Sequence, residues 1–252
     1  MQVLSPAAAL AVQSQLRLPG WAAARPMQAL MLRYGRNSSE PILSRIEKAL
    51  DFTEQMLESK ANYFTQNPIL KLRLEKLKEQ NRYYLAHEYF NEEWNAFYFD
   101  EVAKELEEAK LNFMGSAHLI DYVDAVNLSS AAQTQLSQVT DPIFREVVRD
   151  FFLNTQFRRD IFVRGKLALL PQEHLQVLGN LRFALMTPIK SIKFKQQFPL
   201  GEVELQEKVY RPICEALENG PLTLGDLQKD SRTKDIALNS LYQAIIIMTG
   251  IG

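Results

Sequence analysis

The sequence predicts a mainly α protein with a small β component: a helical domain, then a short β-hairpin and an incomplete winged-helix-like unit. Three observations carry this. Apolar residues recur at helical spacing through the first 180 residues, strict alternation appears only after position 181, and the glycines are scattered rather than gathered into a ligand-binding turn. At 252 residues, 46% hydrophobic and 23% charged, the chain can bury a substantial core.

The elements follow in order. Residues 1–65 read as a linker and a helical segment. The helix is marked by Ile42, Ile46, Ala49, Leu50, Thr53, Met56 and Leu57, with Ser38-Ser39 as a cap and Pro41 in the first turn. Residues 66–180 read as a helical domain. Leu70, Leu74, Leu77, Tyr84 and Leu85 trace one stripe; further helices are expected near 99–112 and 130–138, the second opened by a Ser130/Gln133 capping box. Asp141-Pro142 reads as N-cap and first helical residue, with Ile143, Phe144, Val147, Val148, Phe151 and Phe152 as a wide apolar face. Residues 181–252 read as an α/β tail. "RFALM", "SIKFKQQF" and "LGEVELQ" predict short strands, and three short helices follow, one opened by the capping box of "TLGD".

Composition excludes several function classes. Lys and Arg total 29 against 30 Asp and Glu, so the net charge of -1 gives no global field for nucleic acid. The helix expected at 235–248 has Lys234 almost alone near it, and residues 91–110 are strongly acidic, which further disfavours nucleic acid as a partner. No apolar run reaches the roughly 18 residues a membrane span requires. The N-terminus lacks a basic region before its apolar stretch, so a cytoplasmic location is expected. The single Cys214 reads as a small buried hydrophobe.

No residue is assigned a catalytic, cofactor-binding or metal-binding role. G-x-G-x-x-G, Walker and G-x-S-x-G patterns are absent. His87-Glu88 begins a zinc motif, but position 91 is Asn where a second His is needed. The aromatic run 83–99 could stack a ligand, but Tyr84, Phe90, Trp94, Phe97 and Phe99 read better as core. "NTQFRRDIFVRG", residues 154–165, sets Arg158, Arg159, Asp160 and Arg164 among Phe157, Ile161, Phe162 and Val163. Read as a helix end, it places at most one of Arg158 and Arg159 on the apolar face. An internal tie to Asp160, to the acidic residues 92–108 and to the aromatic segment is favoured over an external ligand, with Gly165 turning the chain afterwards.

"YYLAHEYFNEEWNAFYFDEVAKELEEAKLNFMGSAHLIDY" and "DPIFREVVRDFFLNTQFRRDIFVRG" together resemble the predicted methyltransferase regulatory domain found after the catalytic domain of certain bacterial S-adenosylmethionine-dependent methyltransferases. The resemblance rests on His87-Glu88-Tyr89-Phe90, Ala109-Lys110-Leu111, Gly115-Ser116-Ala117 and the arginine motif, in that order. "LPGWAAARPMQALMLRY" is similar to the segment joining the two parts in that family. The resemblance implies a non-catalytic regulatory or substrate-recognition part, with S-adenosylmethionine bound by a catalytic domain absent from this sequence. His87, Glu88, Tyr89, Gly115, Ser116, Arg158, Arg159, Asp160 and Arg164 are the motif residues through which recognition would act. The partners implied are that catalytic domain, a protein substrate and a second copy of the chain. The alternatives are a stand-alone helical adaptor binding protein or nucleic acid, and an independent enzyme using His87 and Glu88.

Overall fold

The computed structural model describes residues 9–15, 19–36, 38–91, 97–165 and 169–251. It is mainly helical with a few short strands, as the apolar periodicity predicts. Trp94 and the acidic pair Glu92-Glu93 lie outside the described residues. Two compact units divide the chain. One comprises Ser14–Val102 and Asn154–Arg158; the other holds the described parts of Met1–Gln13, Ala103–Leu153 and Arg159–Gly252.

After strand β1 (Ala9–Gln15), the first unit is built from α1 (Pro19–Gly35), α2 (Ile42–Glu58), α3 (Asn62–Gln66), α4 (Ile69–Glu79) and α5 (Arg82–Glu88). Its core takes Met27 and Met31 from α1, Ile46, Ala49 and Leu50 from α2, and Phe64, Leu70, Leu74, Leu77 and Leu85 from the later helices. The spacing of three and four explains this, since it lines one side chain above another on a single face. The 70–85 stripe is split between two helices. Asn81 interrupts it, its side-chain oxygen accepting from the Tyr83 and Tyr84 N–H groups at 2.8 and 3.4 Å, so α5 starts with its own cap and Tyr84 is exposed. Pro41, rather than Ser38 or Ser39, precedes α2, and no side chain caps that helix.

The second unit begins within α6 (Phe99–Glu108). This helix ends earlier than its periodicity suggests, because Lys110 takes a left-handed φ of 61° and the chain passes directly into β2 (Leu111–Ser116). A 3-10 turn at Leu119–Tyr122, α7 (Asp124–Asn127), α8 (Ser130–Ser137) and α9 (Pro142–Leu153) lead to β3 (Phe157–Arg164). The strands are ordered β1-β3-β2, with β2 and β3 antiparallel and Phe113 opposite Phe162. Strands confined to the region after 181 were therefore too few, and "FRRDIFVR" is a strand, not a helix end. Period two, not 3.6, governs it: Arg158, Asp160 and Phe162 are buried while Phe157, Arg159 and Ile161 face outward.

One helix start and one helix face also need correction. Ser129, one residue before the expected Ser130, caps α8 through the Ala132 N–H at 3.3 Å, and Gln133 instead donates to the Leu128 carbonyl at 2.8 Å. Asp141 does cap α9, accepting from the Phe144 N–H at 2.7 Å. The expected apolar face of α9 is rotated: Val147 and Asp150 are buried, whereas Phe144, Phe151 and Phe152 are exposed. Arg149 binds Asp124 and Asp150 is buried next to it in sequence, so the phenylalanines lie on the outward side.

Beyond β3 come α10 (Pro171–Asn180), β4 (Arg182–Phe183), β5 (Lys195–Phe198), β6 (Gly201–Glu204), α11 (Glu207–Leu217), β7 (Leu222–Thr223), α12 (Leu224–Lys229) and α13 (Leu238–Ile251). β5 and β6 form the expected hairpin, and β4 pairs with β7. Thr223 and Asp226 make the predicted capping box, the Asp226 N–H reaching Thr223 Oγ1 at 3.0 Å. Ile213, Leu217, Leu227, Leu241 and Ile245 form the core here. Cys214 is fully buried beside them, which pushes its thiol pKa up.

Candidate functional site

The motif residues fall in two places. His87 is exposed on the last turn of α5, Glu88 is half-buried, and Tyr89 is buried. The Tyr89 carbonyl accepts from Gln28 Nε2 at 2.9 Å and its hydroxyl accepts from Arg73 Nε at 2.8 Å. Burial raises the Tyr89 phenol pKa, and the Arg73 charge opposes that rise. Tyr89 therefore closes the first unit's core onto α1 and α4, and only His87 and Glu88 offer surface.

Gly115, Ser116, Arg159, Asp160 and Arg164 belong to the β2–β3 ribbon. Ser116 stands opposite Asp160, and the Ala117 N–H donates to the Arg159 carbonyl at 2.7 Å. Arg164, at the far end, donates to the Ala109 carbonyl at 3.3 Å across the mouth of the ribbon. Gly165 then takes a φ of 72° and turns the chain after this strand.

Gly115 is the point of closest approach. A Cβ there would lie 1.8 Å from the Tyr122 hydroxyl oxygen, and its φ of 154° is one L side chains rarely adopt. The ladder is irregular at the same place, with the register shifting between Phe113 and Gly115. This lets Tyr122 Oη donate to the Ser116 carbonyl at 3.0 Å, while Ser116 Oγ donates to Asp121 at 2.5 Å and accepts from the His118 N–H at 3.0 Å. Burial, with the nearby Glu146 and Asp121 carboxylates, raises the Tyr122 phenol pKa.

Arg149 of α9 completes the knot. Its guanidinium donates to the Asp124 carboxylate at 2.6 Å and to the Asp121 carbonyl at 3.1 Å, and Glu146 lies 3.8 Å away. Asp121, Tyr122, Asp124 and Arg149 were not singled out in the sequence. The one available signal was the short polar return "GSAHLIDY" after a strand-like run, because neither period marks a turn folding back on a glycine.

Arg158 is 6% exposed, and its guanidinium lies 4.0 Å from the centroid of the Phe99 ring. The expected tie to the aromatic segment is thus present within the first unit, made in part by a cation over a ring. Arg159, one residue on, projects to the opposite face and is exposed. Among the described residues no group of three or more His, Cys, Asp or Glu could hold a metal ion, and no helix is long and apolar enough to cross a membrane.

The knot joins the two segments that carry the family motifs. Its bonds run from ribbon to turn to helix, so it defines a domain organised by an internal polar network. Residues 81–164 match the family described as predicted methyltransferase regulatory domain. The chain is 95% identical over 235 residues to sll1526 of Synechocystis sp., and 28% identical over 155 residues to RP789 of Rickettsia prowazekii. It spans 46% and 27% of those two proteins, so it corresponds to half or less of each. The fold is shared with PKMT2 from Rickettsia typhi, at TM-score 0.63 and 17% identity, over 99% of this chain and 51% of that one. A second structure of PKMT2, in complex with AdoHcy, gives a TM-score of 0.61 over 96% of this chain and 50% of that one.

Proposed function

We propose that the chain acts as the regulatory or substrate-recognition part of an S-adenosylmethionine-dependent methyltransferase, with the methyl donor bound and the transfer performed by a separate catalytic domain. The observation that carries this reading is the family match over 81–164, whose motif residues are engaged in holding the fold together. Two further facts support it. The relatives are about twice this length or more, and AdoHcy, found with PKMT2, is what S-adenosylmethionine becomes once its methyl group has gone.

In this reading the outward side chains of the motifs do the recognising. His87 and Glu88 on α5, and separately Arg159 and Ile161 on β3, can meet a partner without disturbing the buried network, and a protein is the methyl acceptor best suited to such surfaces. The proposed organisation keeps residues 1–65 as the joining segment, 66–180 as the regulatory domain and 181–252 as a winged-helix-like tail.

The test is methyl transfer by the full-length Synechocystis relative, assayed with and without the region equivalent to this chain. Loss of transfer to a protein acceptor, with S-adenosylmethionine binding retained by the remaining part, is the expected result. Unchanged transfer without the region would reject the proposal.

A further inference from the structure

The first unit contains a cavity of about 440 Å³ between the end of α1 and the start of α2. Arg25, Arg33, Arg36 and Arg45 line it, with Phe90 and Ile42 among the apolar residues, and among the described residues no acidic side chain is part of the wall. Four cations around one opening are unexpected in a chain of net charge -1. Three of them come from residues 17–39, which hold every one of their charges as arginine, and Arg45 joins them from α2.

Arg45 is the informative member. Its Nε is buried and has no hydrogen-bond partner among the described residues, while its Nη1 reaches the Gly35 carbonyl at only 3.4 Å. A buried N–H without an acceptor is costly, and guanidinium nitrogens are matched by the oxygens of carboxylates and phosphates. Among the described residues the nearby carboxylates do not fill this role. Glu40 is taken by Lys48 and by Ser44 Oγ at 2.7 Å, and Glu47 lies 3.8 Å from Arg82. Arg33 is exposed at the rim, and Arg25 and Arg36 have interactions of their own.

We propose that this cavity binds a small phosphate-bearing molecule, with Arg45 at its floor and Arg33 at its rim as the anion contacts. The volume suits a small ligand rather than a protein segment. A phosphate, carrying close to two negative charges, compensates clustered arginines better than a single carboxylate does. Phe90 adds an apolar face on which the organic part of a phosphate ester can rest. The site stands on geometry separate from the methyltransferase reading, so either can fail alone.

Calorimetric titration of the whole chain with pyrophosphate, AMP and citrate tests it. Pyrophosphate and AMP should bind, weakening as salt is raised. Tighter AMP would assign a ring-bearing ester, and equal affinity the phosphate group alone. Arg45→Gln should weaken binding at least about tenfold, the loss of one charge-assisted bond, and Arg33→Gln should weaken it less; Arg159→Gln, in the other unit, should leave it unchanged. Thermal melts check that the variants fold, and should Arg45→Gln not fold, the exposed Arg33→Gln decides. No heat with millimolar phosphates, binding indifferent to the folded arginine variants, or citrate as tight as pyrophosphate would overturn the proposal.

Discussion

The core of the first unit and the β2–β3 ribbon solve the same problem with opposite materials. Helices α2, α4 and α5 bury Ile46, Leu50, Leu70, Leu74 and Leu85, and their order needs only the non-directional attraction of apolar surface. β3 buries Arg158 and Asp160 and shows Phe157 and Ile161 to solvent, an inversion that apolar burial alone would reject. Directional bonds hold such a strand in place. The first arrangement tolerates substitutions of similar volume, whereas the second depends on each partner being present.

Single substitutions sharpen this contrast. Arg158→Ala should cost about 3–5 kcal/mol in chemical unfolding, because it takes a buried guanidinium from over the Phe99 ring, and Arg158→Met, which fills the space without the charge, should recover little of that loss. Arg159→Ala, on the opposite face, should change stability by less than about 0.5 kcal/mol. Leu74→Ala in the helical core should cost about 2–5 kcal/mol, and no polar replacement should rescue it. If Arg158→Ala proves as mild as Arg159→Ala, the inverted strand is not held by its buried charges.

Gly115→Ala should follow at about 1–3 kcal/mol, since the new Cβ would meet the Tyr122 hydroxyl. Combining it with Tyr122→Phe removes the nearest obstructing atom. The double variant should therefore be more stable than the sum of its two single losses implies, as a thermal-melt double-mutant cycle would show.

These comparisons also explain what was legible in the sequence. The stripe through Ile46 and Leu50, the caps at Asp141 and Thr223, and the hairpin of β5 and β6 were readable because each is specified by neighbours within a turn or two. The ribbon was not. Its alternation is written in Arg158, Asp160 and Phe162, and only the partner strand and the ring of Phe99 make that a buried face. On α9, Phe144, Phe151 and Phe152 looked like core by composition, yet Arg149 binds Asp124 and fixes the helix with those rings outward. Arg158 and Arg159 were correctly expected to diverge, although the cause is the two-residue repeat of a strand.

The C-terminal part of the chain offers smaller effects. Thr223→Ala should cost about 1 kcal/mol through loss of the α12 cap, visible as a lowered melting temperature with an unchanged denaturant slope. The pH dependence there has a definite sign. Arg232 donates Nε and Nη2 to the two Asp230 oxygens at 2.8 and 2.7 Å, and its N–H adds a third bond at 2.9 Å, which pulls the Asp230 pKa from 3.8 down to about 2. A depressed carboxyl contributes stability that is fully present above its unfolded pKa and fades as pH falls through the folded value. The stability gap between the wild type and Asp230→Asn should thus stay constant near neutrality and close as pH falls from 3.8 towards about 2. A gap that persists at the acid end would show that the Asn retains the bonds that matter.

The central claim is that the chain serves a methyltransferase without itself holding the methyl donor. Calorimetric titration of the purified chain with S-adenosylmethionine tests it most directly. The account predicts no binding in the micromolar range, because no glycine-rich strand-to-helix turn is available for close backbone approach to the cofactor. Micromolar, saturable binding with a stoichiometry near one would contradict it and make this chain a cofactor-binding part of the enzyme.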